Sequence, residues 1–396
     1  MIGKKIKKVR EELGLSQRQL AGEEMTRAYI SLIENGRAIP SDKTLRIIAN
    51  RLHKPTSYFL GDTIDEHVEI SEAILERAKK IAQEGNIENS LKLAYKIFTL
   101  TQRLPIIVNT HLFILELKIS KGLYIEALEY GDESLTDIRD LKNREVLVKY
   151  YLLMGKASFK VENYIYSKKS YKWAIKYSEQ LKKLQDERIQ AFMFLGTTNI
   201  RLGKIDEAIS DYSTAFKEAS LTGNNLISGQ IMLGLGKAYY LKREHTKSLE
   251  YTNKAIVLLD SYSKEKVYAL HNKAVINCKI GNLQESLIIL EECLELYEEL
   301  GLKQKQASIL EELAKISLDN GDIHSSKDFC DRAIKLLEYE DDGIIRAKLY
   351  RILGLIYHEE KQFDQSYYFL RMSYDLLIRL NATSEAAESL RLIKKK

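Results

Sequence analysis

The sequence predicts an all-α chain in three parts: a helix-turn-helix domain over residues 1–62, a linker at 63–70, and a helical repeat array over 71–396. Three observations lead there. Only three prolines interrupt 396 residues, and Pro40 and Pro55 fall in the first sixty, leaving Pro105 alone for the rest. Sequence so poor in breakers over that length favours long helices. The first 62 residues divide into five short amphipathic pieces. From Ser90 onward, small residues recur with a period of about 39 residues, the mark of a repeat architecture.

Each piece of the first domain has its own start and stop. Ile2, Ile6, Val9 and Leu13 lie at helical spacing, with Gly14 as the stop. Ser16 is an N-cap for a second helix, Gln17–Ala21, and Thr26 caps a third that ends at Asn35-Gly36. Pro40-Ser41 opens a fourth, with Leu45, Ile48, Ala49 and Leu52 on one face, and a fifth turn after Pro55 holds Tyr58, Phe59 and Leu60. Two helices joined by a tight turn can present the second to a groove of DNA. Charge agrees with that use. Residues 1–62 hold 12 Lys and Arg against 7 Asp and Glu, a net of +5 that equals the net of the whole chain. The remaining residues are neutral in sum, so the surplus attraction for a polyanion sits in this segment.

The run Leu15-Ser-Gln-Arg-Gln-Leu-Ala21, then Thr26-Arg-Ala-Tyr-Ile-Ser-Leu-Ile-Glu-Asn-Gly36, then Pro40-Ser41, resembles the DNA-binding domain of Cro/XRE-type phage repressors. The turn Gly22–Met25 is a residue shorter than in many members, similar to the peptide-sensing ones. The resemblance implies DNA-binding roles for Gln17 and Arg18 on the second helix and for Thr26, Arg27, Ala28, Tyr29 and Leu32 on the recognition helix. Arginine forks suit guanine, and a tyrosine can meet a thymine methyl or a phosphate. Arg37 and Lys43 flank the helix and would position the DNA backbone. Glu34 is expected to make a structural ion pair or cap, since a carboxylate repels phosphate.

The repeat register is carried by Ser90, Ala127, Ser167, Ala208, Ser248, Ser286, Ser326 and Ser366. Twelve residues before each stand Ala78, Leu115, Gly155, Gly196, Gly236, Ala274, Ala314 and Gly354. Seven after stand Ile97, Ser134, Ala174, Ala215, Ala255, Cys293, Ala333 and Ser373. Small residues at such offsets belong where two antiparallel helices approach closely. Glycine precedes the register residue by five at Gly85, Gly122, Gly203, Gly281 and Gly321, marking the turn. Leu115 and Ile97 break the pattern in the first two repeats. The spacing resembles the tetratricopeptide repeat with lengthened loops, which implies about eight hairpins stacked into a right-handed superhelix with an inner groove lined by first helices.

The combination of the two halves resembles the peptide-pheromone regulators of Gram-positive bacteria, the RRNPP group. That resemblance implies a cytoplasmic quorum-sensing transcriptional regulator: a homodimer on double-stranded operator DNA, switched by a short imported signalling peptide in the groove. Counting from the small residue of each first helix, the groove face takes Gln190, Phe194 and Thr197, then Gln230, Lys237 and Tyr240, then Tyr268, Asn272 and Val275. Asn272 stands where the group places an amide that clamps a peptide backbone. Asn199 and Asn277 are one turn further along and face either the groove or the neighbouring helix. Lys237, Lys315 and Arg351 are candidates for a peptide carboxylate.

Other chemistry is not expected. The seven histidines make no metal spacing with one another or with the three cysteines, Cys278, Cys293 and Cys330. Their odd number and separation suit a reducing compartment rather than a disulfide framework. No phosphate loop, nucleophile elbow or paired-carboxylate motif stands out, so neither an enzyme nor a cofactor is expected. The basic residues Lys4, Lys5, Lys7 and Lys8 precede no apolar run, and no stretch approaches a membrane span. The rival reading is a helical-repeat adaptor that sequesters a partner protein, with DNA binding secondary.

Overall fold

The computed structural model describes residues 2–54, 56–179, 181, 183, 185–261, 263–338 and 343–394, and among them every regular element is a helix. They pack as two compact units, residues 1–163 and 164–396. Unit one begins with α1 (Ile2–Glu12), α2 (Gln17–Ala21), α3 (Arg27–Glu34) and α4 (Asp42–Arg51), followed by α5 (Thr56–Gln83). Ile6, Val9, Leu20, Ile30, Ile33, Leu45, Ile48, Leu52 and Phe59 close one core beneath them. Leu13, at the end of the α1 periodicity, is instead 46% exposed, because it lies in the turn beyond Glu12. Tyr58 is exposed as well, while Pro55 and the Leu60 side chain lie outside the described residues. The stretch 63–70, expected as a linker, runs inside α5.

The repeat helices follow in alternation. Unit one continues with α6 (Ile87–Leu100), α7 (Leu104–Ser120), α8 (Tyr124–Asp140) and α9 (Arg144–Lys160). Unit two holds α10 (Tyr164–Ser178), α11 (Gln185–Arg201), α12 (Ile205–Ala219), α13 (Asn225–Leu241) and α14 (His245–Leu258). It continues through α15 (Ser263–Ile280), α16 (Leu283–Glu299), α17 (Lys303–Asp319) and α18 (Ile323–Leu336) to α19 (Gly343–Glu359), α20 (Phe363–Arg379) and α21 (Thr383–Lys394).

All eight register residues lie three positions after the first residue of an even-numbered helix from α6 to α20. In four hairpins the register serine does more than fit. The hydroxyls of Ser90, Ser248, Ser286 and Ser326 donate to the carbonyls of Ala78, Gly236, Ala274 and Ala314 at 2.7–2.9 Å, clipping the second helix to the first. Cys293 and Cys330 are buried as packing residues, and burial pushes both thiols up to about 12. The break at Leu115 has a local compensation. A Cβ at Gly131 would come within 3.5 Å of the Leu115 side chain and collide with Met154, so the glycine on α8 makes room for the bulk on α7 and α9.

The turns explain the three repeats that lack the expected glycine. Five take a left-handed turn residue at Gly85, Gly122, Gly203, Gly281 and Gly321; at the same register stand Glu162, Arg243 and Lys361, with φ of 61°, 64° and 60°. A side chain in that region costs about 1 kcal/mol, partly offset by the extra chain entropy glycine has when unfolded. Replacing the three together by glycine is expected to stabilise the fold by about 0.5 kcal/mol per site. A melting temperature, followed by circular dichroism, that falls instead of rising would contradict it.

Candidate DNA-binding and ligand-binding sites

The helix-turn-helix geometry is set by caps and one buried ion pair. Ser16 and Gln19 form a reciprocal capping box at the start of α2: the Gln19 amide donates to Ser16 Oγ at 3.2 Å, and the Ser16 amide to Gln19 Oε1 at 2.7 Å. At the other end, Arg51 Nη1 donates to the carbonyls of Leu20 and Ala21 at 2.9 and 2.7 Å, satisfying groups the helix leaves open, and its second nitrogen pairs with Glu24. Thr26 Oγ1 accepts from the Tyr29 amide at 3.2 Å and starts α3. Beneath α3, Arg10 Nε donates to Glu34 Oε1 at 2.5 Å and its Nη2 to Oε2 at 3.0 Å, with Glu34 4% exposed. Arg10 Nη1 also holds the Leu15 carbonyl at 2.8 Å, so α1, the α1–α2 turn and α3 meet at one guanidinium.

The face of α3 turned to solvent carries Arg27, Ala28 and Leu32, with Thr26 and Arg18 exposed beside it and Arg37 and Lys43 exposed on the flanks. Two expectations are adjusted. Tyr29 is half-buried against the domain core, so only part of its ring faces outward. The Gln17 amide donates to Glu34 Oε2 at 2.8 Å, which ties its side chain to the buried pair. That link holds α2 against α3, a positioning role invisible in the spacing.

In unit two, four residues expected on the groove face come together. Lys237 and Tyr240 of α13 and Asn272 and Val275 of α15 line a cavity of about 240 Å³, completed by Gly236, Ser248, Thr252 and Ile276. At the cavity, α13 and α14 approach closely at Gly236, where a Cβ would stand 2.6 Å from Thr252 Oγ1. The Lys237 chain emerges to solvent, but desolvation of its ammonium, seconded by the like charge of Arg201, lowers its pKa. Among the described residues neither cation has an ion-pair partner, so the mouth is poised for an anion. Beside Asn272, His271 Nε2 meets Glu312 Oε1 at 2.9 Å. Arg201 was not legible in the sequence, because it acts on Lys237 across neighbouring hairpins rather than along its own helix.

The remaining candidates divide. Gln190 and Gln230 are half-buried and Lys315 is exposed. Tyr268 is half-buried under the Lys305 ammonium, 5.4 Å from its ring centre. Phe194 stacks on Tyr171 of α10 with ring centres 5.6 Å apart, and the Thr197 hydroxyl meets Tyr212 Oη at 2.8 Å. Both therefore serve packing between α11 and its neighbours. Asn199 is turned away from the open face: its Nδ2 donates to Asp211 Oδ2 at 2.6 Å inside the α11–α12 seam. Asn277, at the equivalent register, is fully buried too. Arg351 is held by Glu388 of α21 at 2.7 Å rather than left for a ligand carboxylate.

Asp211 supplies a pH signature for that seam. Burial pushes its carboxyl up to about 6, against the opposing Asn199 hydrogen bond and the Lys168 charge. A folded pKa above the unfolded value of about 3.9 favours the fold while the group is protonated. The contribution is complete below about pH 4 and is lost as pH rises through about 6. Asp211→Asn is expected to flatten stability between these limits and to raise it at pH 7 by about 1–2 kcal/mol. Melting curves across that range that parallel the parent would refute this.

Residues 6–59 match the helix-turn-helix family model. Among solved structures, the apo form of the quorum sensor NprR from B. thuringiensis is 14% identical with a TM-score of 0.63, covering 95% of this chain and 100% of that one. The apo form of RapI is 10% identical with a TM-score of 0.58, over 69% of this chain and 99% of that one. A Rap protein complexed with competence and sporulation factor is 13% identical at 0.53, over 83% and 97%. No curated protein matches in sequence. At these identities the likeness is one of fold: a helix-turn-helix DNA-binding domain followed by tetratricopeptide-like repeats, as in NprR. Among the described residues no helix is long and apolar enough to cross a membrane.

Proposed function

We propose that the chain is a cytoplasmic transcriptional regulator that binds operator DNA as a homodimer and is switched by a short linear peptide held in the repeat groove. The observation that carries the reading is the cavity between α13 and α15. It joins an amide (Asn272), an unpaired ammonium (Lys237), an aromatic phenol (Tyr240) and an apolar wall (Val275, Ile276) on one chain with an exposed recognition helix. Amides hold a peptide backbone, the cation takes a carboxylate, and the apolar wall selects a side chain. That NprR is described as a quorum sensor, and that a Rap protein was solved with competence and sporulation factor, supports the same assignment. The two-fold assembly follows from size, since a single helix-turn-helix buries little surface on DNA and paired half-sites require two.

The test joins both halves. DNA upstream of the protein's own reading frame is used in a gel shift, with and without peptides cut from a short secreted pro-peptide encoded nearby. The reading expects a retarded band whose affinity one of those peptides changes, and calorimetry should find the same peptide bound to the isolated protein. Failure of any DNA to shift would remove the first half. A shift indifferent to every peptide would remove the second.

A further inference from the structure

The groove face of unit two can be followed from helix to helix at a fixed register. Two positions before the small residue of each first helix stand Phe194, Gly234, Asn272, Glu312 and Ile352, on α11, α13, α15, α17 and α19. One position after it stand Thr197, Lys237, Val275, Lys315 and Leu355. The two positions lie three residues apart, so their side chains are neighbours on one face of each helix. Free polar groups occupy a short stretch of this track. On α11, Phe194 is stacked on Tyr171 and the Thr197 hydroxyl is taken by Tyr212. On α19, Ile352 is buried. Between them lie Lys237 on α13, Asn272 on α15, and Glu312 with Lys315 on α17. Interaxial distances of about 10 Å put α13 and α17 roughly 20 Å apart, the reach of about six extended residues.

The two ends of that stretch differ in charge. Lys237 is the one charged residue of α13, and the charge it faces is a second cation, Arg201 of α11. At the α17 end stands a carboxylate. Glu312 Oε1 is held by His271 Nε2 at 2.9 Å, and the Glu312 side chain keeps 30% of its surface in solvent. Among the described residues no other donor holds it, and the exposed Lys315, one turn on, forms no ion pair with it.

We propose that the groove ligand binds in one direction, with its C-terminal carboxylate on Lys237 and Arg201, its backbone on Asn272 and its N-terminal amine on Glu312. The proposal rests on the peptide reading above and adds the direction of the ligand, a length of about six residues and a need for two free ends. A side-chain carboxylate on Lys237 would require the ligand to continue past α13, where the track meets only the packed Phe194 and Thr197. A chain that stops there presents a terminal carboxylate, whose two oxygens suit two cations. The opposite direction would set an ammonium against both cations and leave Glu312 without a counter-charge.

Capping the ends of a peptide tests this in the full-length protein. The probe is a pool of random hexapeptides with free ends; the best-retained member is then remade with its C-terminus amidated or its N-terminus acetylated. Calorimetry is expected to find that each cap weakens binding about tenfold or more. The amidation loss should largely vanish in Lys237→Met, and the acetylation loss in Glu312→Gln, while each variant keeps the loss due to the other cap. The caps decide on the parent alone, so a variant that does not fold leaves the test intact. A retained peptide that tolerates either cap overturns the direction and leaves the peptide reading standing. An amidation loss that vanishes in Lys315→Met instead of Lys237→Met reverses the direction and overturns the proposal as well. A hexapeptide pool from which nothing is retained also overturns it, and an octapeptide pool then decides whether the peptide reading stands.

Discussion

Glu34→Ala is expected to abolish DNA binding by unfolding the first domain, although Glu34 does not face DNA. Its carboxylate accepts from Arg10 twice and from Gln17 once, beneath the recognition helix. Removing it leaves the Arg10 cation, 8% exposed, with only the solvent-facing Glu11 carboxylate at 3.4 Å. Stranding a buried charge costs about 3–5 kcal/mol. A core of this size supplies only about 3–5 kcal/mol in total, so the loss is comparable to the whole stability of the domain. Arg27→Ala provides the contrast. Arg27 is exposed on α3, so its loss should leave the melting transition in place and cost about 1–3 kcal/mol of DNA affinity if it reads a base. Gel shifts on both variants, paired with thermal unfolding, decide the matter. A folded Glu34→Ala protein with parental DNA affinity would show that the pair is not structural.

The second large effect is expected at the cavity between α13 and α15. Asn272→Ala and Lys237→Met should each weaken peptide binding by roughly ten- to hundredfold, the loss of one hydrogen-bond partner or one charge-assisted contact that the bound peptide would cover. The two differ in their dependence on pH. Because desolvation and Arg201 lower the Lys237 pKa in the free protein, an arriving carboxylate raises it again. Binding then takes up protons at alkaline pH, and affinity declines as pH rises. Lys237→Met should lose that decline, whereas Asn272→Ala should keep it. Calorimetry in buffers of different ionisation heat reads the proton count directly. Equal proton uptake by parent and Lys237→Met would place the carboxylate elsewhere.

What could be read from the sequence, and what could not, follows the range of the interactions. Caps are local, so Ser16, Thr26 and Ser41 all stand where their helices begin. The repeat register is nearly as local, since its contacts join residues twelve apart, and it located the second helix of every hairpin. Contacts between hairpins have no such spacing. Phe194 lies at a groove offset of its first helix and Arg351 is a carboxylate candidate on another, yet one is claimed by Tyr171 of the preceding hairpin and the other by Glu388 of the last helix. Asn199 and Asn272 are the same residue type on first helices two hairpins apart, α11 and α15. Their fates differ because Asp211 waits opposite the first, while the second stands over the open floor at Gly236. Side-chain partners across a seam decide which polar residue is free, and periodicity cannot name them.

The serine clips have a consequence for how the array is made. Each joins residues only twelve apart, from Ser90 to Ala78 as from Ser326 to Ala314. Closing so short a loop costs little entropy and takes on the order of 10–100 ns in an open chain. A hairpin can therefore form while the chain is still emerging, before its neighbour exists, and each later one adds to a finished edge. Growth needs no distant partner and leaves no long segment waiting for one. Removing or duplicating a whole period of the chain would preserve every clip, so the length of the array is free to drift over evolutionary time while its hairpins stay the same.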